Sequence, residues 1–283
     1  MPNFTALAVL ALVLCPNAVQ EPAPGQGGTP APAAPAAPKK LLPIVETVTR
    51  AGKGVELTAD YTKARGVLRG PTVVCLHDAA GSRGEFTKIS AEFIQYGCPV
   101  LAVDLRVGKE AGGVANVTAA AFEKAAGKPA TLTEALDDVA TAVEWAKELR
   151  PDSKILLLGS GTGATLALAF AARNPAGVDG VLAYSPTECL EGVTVAAEMR
   201  QIKVPVHVGC GSGLEEKSKT TRFFNALDKK LRSSYFPAEE LQFPPGAGQL
   251  AHEDESLRNR AWHGVHKVRE ALSTQVAAEG EAK

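Results

Sequence analysis

One segment of the chain has the residue spacing of a reactive turn. Residues 155–168 read ILLLGSGTGATLAL, which is an apolar run, a glycine-rich turn and a second apolar run. In the pattern G-x-S-x-G, a serine on a strained turn between a buried strand and a helix is a nucleophile for acyl transfer. Here Gly159 and Gly163 fill the two glycine positions, but Gly161 stands where the serine belongs. The sequence therefore predicts the scaffold of a nucleophile elbow without the attacking atom.

The elements that must position this turn alternate between strand and helix patterns. Apolar runs of strand length precede and follow the elbow strand, at 72–77, 99–104, 181–185 and 204–210, and an antiparallel pair opens the fold at 44–49 and 55–61. Helical spacing occurs at 82–96, at 131–150, after the elbow and in two C-terminal segments. Such alternation predicts an α/β fold with a mostly parallel central sheet and helices on both faces.

Two local signals accompany these helices. Ser82 with Glu85, and Thr131 with Glu134, have the spacing of capping boxes and predict helix starts. Between them, residues 106–130 are rich in glycine and alanine and show little periodicity, so we expect a long loop there. A loop of this length in a compact domain is usually functional or mobile.

Composition and motifs argue against nucleic acid, a metal or a cofactor as a partner. The 283 residues suffice for one large α/β domain, and with 45% hydrophobic but only 5% aromatic residues the core should be aliphatic. The formal net charge of −1, with no long run of either sign, argues against nucleic acid as a partner. There is no CxxC motif, no His/Cys cluster and no cofactor motif, so neither a metal nor a cofactor is predicted. The four cysteines beyond Cys15 have irregular spacings that specify no disulfide framework.

The N-terminal segment predicts export. Residues 4–15 form an apolar run closed by Pro16, which is short for a membrane span and has the length of a signal-peptide core. A Pro/Ala-rich spacer follows, so the sequence predicts these divisions: a signal peptide at 1–18, a disordered linker at 19–40, the folded domain at 41–275 and a flexible tail at 276–283. We expect a periplasmic or extracellular protein, with association with the cell envelope as a further option and no membrane span in the mature chain.

The chain resembles the α/β-hydrolase superfamily, nearest to its dienelactone-hydrolase-like and acyl-esterase branch. Besides the elbow, the resemblance rests on LHDAAGSRGEF at 76–86, on YSP at 184–186 and on KVPV at 203–206, and it covers roughly residues 42–272. It implies the α/β-hydrolase fold and a small acyl or ester-like ligand. It also implies an oxyanion-hole loop, carried here by His77, Asp78 and Ala79 together with Thr162 after the nucleophile position.

The resemblance further implies three catalytic positions, and all three are substituted. A nucleophile, a histidine that moves its proton and a carboxylate that orients the histidine are required. These positions read Gly161, Leu214 for the acid and Gln249 for the histidine. Losing all three favours a scaffold that has abandoned the reaction.

Substitute residues for the three positions define the alternatives. Thr162 as a shifted nucleophile, Glu188 as an acid on the preceding strand and His252 as a displaced base would make an active esterase with an unusual triad. The leading interpretation is an exported, noncatalytic protein that keeps a ligand-binding pocket. A third alternative is a structural or interaction domain of the cell envelope, tethered by its Pro/Ala spacer.

Overall fold

The computed structural model describes residues 40–66 and 68–281, so the predicted signal peptide and the predicted linker up to residue 39 lie outside the described residues. Eight strands form the main sheet, and their spatial order is β1 Pro43–Ala51, β2 Glu56–Ala64, β4 Val100–Val103, β3 Thr72–Leu76, β7 Ile155–Ser160, β8 Gly180–Tyr184, β9 Val206–Gly209 and β10 Arg232–Tyr235. Strand β2 is antiparallel to β1 and β4, and the pairs from β4 through β10 are parallel. The mostly parallel sheet predicted from the sequence is confirmed.

The strands of the main sheet match the predicted runs closely. The seven strands β1 to β4 and β7 to β9 each overlap a predicted run. A separate two-stranded ribbon consists of β5 Glu110–Ala111 and β6 Val114–Ala115. Strand β10, with the polar sequence RSSY, is not predicted, because an edge strand of this kind lacks an apolar run.

Helices cover both faces of the sheet. They are α1 Thr87–Gln95, α2 Val117–Ala126, α3 Ala135–Leu149, α4 Thr162–Arg173, α5 Val195–Glu198, α6 Leu214–Ala226 and α7 Glu255–Glu281. Helix α7 continues through 276–281, where we expected a flexible tail. Within the described part of the chain, no helix combines the length and apolarity needed to span a membrane.

Strand alternation divides the core into two layers. Strand β3 is buried throughout, and its side chains point to opposite faces in turn, so that Val74 and Leu76 join one cluster while Val73 and Cys75 join the other. The first cluster is completed by α3 and α4, and the second by α1 and α7. The continuous apolar run from Val73 to Leu76 is what burial on both faces requires.

Residues 106–130 are more ordered than the sequence predicts. The ribbon and α2 occupy this segment, so the expected long loop is wrong. Asn116 begins α2, because its Oδ1 accepts the Ala119 N–H at 2.8 Å, and Gly127 ends it in the left-handed conformation. The alanine-rich helix buries little besides Ala119 and Phe122, so its apolar periodicity is weak.

The two predicted capping boxes have different outcomes. Thr131 and Glu134 exchange reciprocal side-chain-to-backbone hydrogen bonds, which confirms that box. The other box forms only in part: Ser82 Oγ caps the 3-10 helix Arg83–Phe86 by accepting the Gly84 N–H, as predicted for a helix start, but the Glu85 carboxylate accepts the N–H of Asp78 instead of that of Ser82. Glu85 therefore lies in the first turn of this 3-10 helix, but its carboxylate binds the loop after β3.

Candidate functional site

The elbow has the tight geometry that its glycines predict. Gly161, between β7 and α4, has φ 56° and ψ −120°, a strained conformation that favours glycine. A Cβ on Gly159 would lie 2.5 Å from the Ala164 nitrogen, and a Cβ on Gly163 would lie 2.7 Å from the Leu76 carbonyl carbon. The three glycines therefore let β7, the turn and α4 pack directly against the end of β3.

The carboxylate of Asp78 fills the space of the missing nucleophile. A Cβ placed on Gly161 would meet Asp78 Oδ1 inside van der Waals contact and would lie 2.7 Å from Asp78 Cγ and 3.1 Å from Asp78 Cβ. The loop after β3 therefore places a charged side chain in the space that the side chain of a serine at residue 161 would need.

The two oxyanion donors are also occupied, one of them by Asp78. In acyl transfer, the N–H after the nucleophile and an N–H of the loop after β3 bind the developing oxyanion. Here the Thr162 N–H donates to Asp78 Oδ1 at 2.8 Å, and Thr162 Oγ1 donates to the same oxygen at 3.0 Å. The Ala79 N–H donates to Thr162 Oγ1 at 2.6 Å. The carboxylate lies at the positive end of the α4 dipole, so the protein supplies its own anion there.

Glu85 holds the backbone of Asp78 in place. Its Oε2 accepts the Asp78 N–H at 3.2 Å, and its carboxyl group is also hydrogen-bonded to Ser160. Ser160 Oγ in turn accepts the Ala247 N–H at 2.9 Å. Burial raises the pKa of the Glu85 carboxyl, although its hydrogen bonds with Ser160 and Asp78 oppose the shift.

A second carboxylate joins the loops that follow β8 and β9. Glu216 Oε1 accepts the Gly211 N–H at 2.7 Å and a hydrogen bond from Ser185 Oγ. Ser185 adopts φ 59°, unusual for a residue with a side chain, and its Oγ accepts the Gly246 N–H at 2.7 Å. Sequence reasoning missed Ser185 and Glu216 as site residues, and it assigned Glu85 to a helix cap.

His77 fixes the loop that carries Asp78. Its Nδ1–H donates to the Asp78 carbonyl at 2.7 Å, and its Nε2 accepts the Leu105 N–H at 2.9 Å. Burial lowers the pKa of the imidazole, so the neutral tautomer is favoured. Its role in the predicted oxyanion loop is to position the backbone.

These residues surround one cleft of about 510 Å³ above the elbow. Its lining combines the elbow, the loop after β3, the loops after β8 and β9, and the turn before the 3-10 helix Gly246–Ala251. The lining residues are Asp78, Glu85, Ser160, Gly161, Ser185, Pro186, Thr187, Gly213, Glu215, Glu216, Lys219, Pro245 and Gly246.

The predicted acid and histidine positions lie outside this lining. Leu214 is the first residue of α6 and its side chain is exposed, whereas the neighbouring Glu216 faces the cleft. Gln249 is fully buried in the 3-10 helix, where its Nε2 donates to the Gly246 carbonyl at 3.2 Å. Of the three degenerate positions, Gly161 alone borders the cleft.

The three substitute residues are not brought together. Thr162 donates hydrogen bonds to Asp78 from its N–H and from its hydroxyl. Glu188 accepts the N–H groups of Val195 and Ala196 at 2.8 and 3.0 Å and so stabilises the start of α5. His252 packs against Phe243 with ring centroids 5.1 Å apart and borders a separate surface cavity.

The described residues contain no group of three or more His, Cys, Asp or Glu side chains placed to hold a metal ion. Cys75, Cys98, Cys189 and Cys210 are free thiols, and the first, second and fourth are buried. Burial raises the pKa of the Cys75 thiol.

Comparisons with known proteins agree with this architecture. Residues 58–248 match the model of the dienelactone hydrolase family. No curated protein sequence matches the chain. Among solved structures, the chain is similar to a dienelactone hydrolase from Anabaena variabilis, with a TM-score of 0.59, 18% identity, and 82% of this chain and 98% of that chain covered.

Two further solved structures show the same fold. One is Est1E from Butyrivibrio proteoclasticus with bound ferulic acid, with a TM-score of 0.59, 14% identity, and 80% of this chain and 99% of that chain covered. The other is from a study of two fungal esterases of Rhizomucor miehei, with a TM-score of 0.60, 12% identity, and 84% of this chain and 86% of that chain covered. With an α/β-hydrolase fold and a family model that matches most of its length, the chain belongs to the dienelactone hydrolase family.

Proposed function

We propose that this chain is an exported protein that binds a small ligand in the cleft above the elbow and does not catalyse acyl transfer. One observation carries the proposal: the Asp78 carboxylate occupies both the space of the nucleophile side chain and the Thr162 N–H that would stabilise an oxyanion. An acyl group approaching Gly161 would meet a carboxylate instead of a nucleophile and a donor pair. Fold membership alone does not imply activity.

Water cannot easily replace the nucleophile. A water attacking an ester would need a general base within hydrogen-bond reach and a donor for the oxyanion. None of the described lining residues is a histidine, and although carboxylates line the cleft, the oxyanion donor is missing because Asp78 holds the Thr162 N–H. Triad enzymes lose most of their rate when one member is removed, and here the elbow nucleophile is missing while Asp78 holds the Thr162 N–H.

One contact favours the alternative of an active hydrolase. Ser160 borders the cleft and is hydrogen-bonded to Glu85, a carboxyl whose raised pKa suits a general base. Against this, Ser160 is only 1% exposed and its Oγ already accepts the Ala247 N–H. The substitute triad is not assembled, because its residues Thr162, Glu188 and His252 lie in three different surroundings.

We expect the wild-type chain to show no hydrolysis of short-chain p-nitrophenyl esters or lactones above the buffer rate. The physical reason is the absence of an attacking atom at residue 161. The measurement is initial rate against enzyme concentration, with a matched control in which Asp78 is replaced by Asn. A rate proportional to wild-type protein, abolished by Ser160→Ala, would establish the hydrolase alternative.

The second part of the proposal is that the protein is exported. It is supported by the apolar run at 4–15, followed by a Pro/Ala-rich spacer. We expect the mature protein to begin after Ala18. N-terminal sequencing of protein recovered from the native host tests this expectation, and a protein that retains Met1 would contradict it. Retention on the cell envelope rather than release would support the structural or interaction alternative.

A further inference from the structure

The cleft above the elbow presents hydrogen-bond acceptors, and four of the backbone N–H donors around it are already used. The N–H of Thr162 is taken by Asp78, that of Gly211 by Glu216 and that of Gly246 by Ser185. The Ala247 N–H is taken by Ser160 in the same way. A carbonyl, carboxylate or phosphate oxygen entering the cleft would find none of these four donors free.

The charge of the lining points in the same direction. Four carboxyl groups border the cleft, from Asp78, Glu85, Glu215 and Glu216, and among the described residues of the lining Lys219 is the one cationic side chain. Lys219 pairs with Glu215 at 2.7 Å, and both side chains are more than half exposed, so this pair lies at the rim. Its contribution to the potential inside is small, because exposed pairs are strongly screened. The interior charges of the cleft are therefore carboxylates.

The site itself is defined by the fold rather than by these acids. The cleft lies at the elbow, where strand ends and loops of an α/β sheet converge, and its volume of about 510 Å³ is that of a small-molecule pocket. In an acyl-transfer enzyme, the helix N-terminus at this point attracts the negative charge of the reaction. Here the Asp78 carboxylate accepts the Thr162 N–H at the N-terminus of α4. The cleft therefore presents a negative charge at this point, where an acyl-transfer enzyme presents a hydrogen-bond donor.

We propose that the cleft binds a small organic cation with a hydrogen-bonding head, an ammonium or amidinium group, and not an ester or an anion. The head would donate to Asp78 and Glu216, whose carboxylates accept charge-assisted hydrogen bonds. The apolar part would lie along Pro186 and Pro245 at the cleft wall. This inference rests on the proposed function, since it needs the cleft to serve binding.

Three isosteric probes test the polarity of the cleft. Benzamidine, benzamide and benzoate have nearly the same shape and differ in charge, and each is titrated into the full chain by calorimetry at low ionic strength. We expect benzamidine to bind at least about tenfold more tightly than benzamide, a difference of ~1.4 kcal/mol, and benzoate to give no heat of binding. Benzoate binding equal to or tighter than benzamidine binding would overturn the proposal, and so would no binding of any probe.

Variants locate the binding. Glu216→Gln and Asp78→Asn should each weaken benzamidine binding about tenfold, whereas Glu240→Gln, an exposed glutamate outside the cleft, should leave it unchanged. If one of the two cleft variants fails to fold, the other still decides. Equal losses in all three variants, or none, would place the binding elsewhere and overturn the proposal. Ester turnover, measured separately, tests the proposed function and does not depend on whether benzamidine binds.

Discussion

Replacing Gly161 by serine is expected to lower the free energy of unfolding by on the order of 4 kcal/mol. A side chain in the strained backbone conformation of residue 161 costs about 1–3 kcal/mol. Its Cβ would also overlap the Asp78 carboxylate, and such overpacking costs typically ~1–3 kcal/mol more. Urea unfolding of wild type and Gly161→Ser measures the sum. The restored serine should hydrolyse esters feebly at most, because the cleft has no histidine among the residues that the structure describes.

A double-mutant cycle separates the two contributions. Asp78→Ala removes the overlapping carboxylate and leaves its Cβ 3.1 Å from the new one, a gap that a small shift relieves. The Gly161→Ser/Asp78→Ala protein should therefore be more stable than the sum of the single losses predicts, by about 1–3 kcal/mol. Gly161→Ala is the matched control, since it adds the Cβ without the hydroxyl and should be as destabilising as serine. Simple additivity would mean that Asp78 does not occupy this space.

Acid is expected to destabilise the fold through His207, which lies in β9. Its Nδ1 lies 3.0 Å from Ser233 Oγ, but its buried Nε2 has no hydrogen-bond partner in the described structure. Burial lowers the pKa of this imidazole to about 3 from 6.5, with smaller contributions from Lys267 and His263. A Cβ on Gly264 of α7 would overlap the ring, so the helix backbone lies directly against it.

The sign of the effect follows from proton binding. Below pH 6.5 the unfolded chain takes up a proton at His207 that the folded chain refuses, so the free energy of unfolding falls as the pH falls. Between about pH 6.5 and about pH 4.5 the loss is on the order of 3 kcal/mol, at ~1.36 kcal/mol per pH unit. His207→Phe should remove this part of the pH dependence in urea unfolding, and His263→Phe, at an exposed position of α7, should retain it. Identical slopes for wild type and His207→Phe would contradict the burial of a neutral imidazole.

The fold was largely predictable because its signals are local. Fully apolar runs such as 73–76 and 155–158 bury all their side chains only in a sheet that is covered on both faces. Helix α2 and strand β10 escaped prediction for the same physical reason. An alanine-rich helix and the edge strand RSSY bury too little apolar surface to produce a period.

The site was predictable where packing is local and unpredictable where it joins distant loops. Gly159 and Gly163 flank the elbow in the chain, and the steric demand of the turn explains both. The hydrogen bond between the Thr162 N–H and Asp78 joins residues 84 positions apart, and no periodicity encodes it. Glu85 shows the same limit: its spacing from Ser82 fits a capping box, yet tertiary contact with Asp78 and Ser160 determines its position.

The central claim is that the elbow carries no nucleophile and that Asp78 fills its place. Labelling with a fluorophosphonate probe, followed by peptide mapping, tests this claim most directly, because the probe reports an activated nucleophile whatever the substrate. A catalytically active serine hydrolase in the same reaction serves as the positive control. We expect no stable label on the wild-type chain. Stable labelling at Ser160 or Thr162 would contradict it, and would show that an activated hydroxyl reaches the cleft beside Asp78.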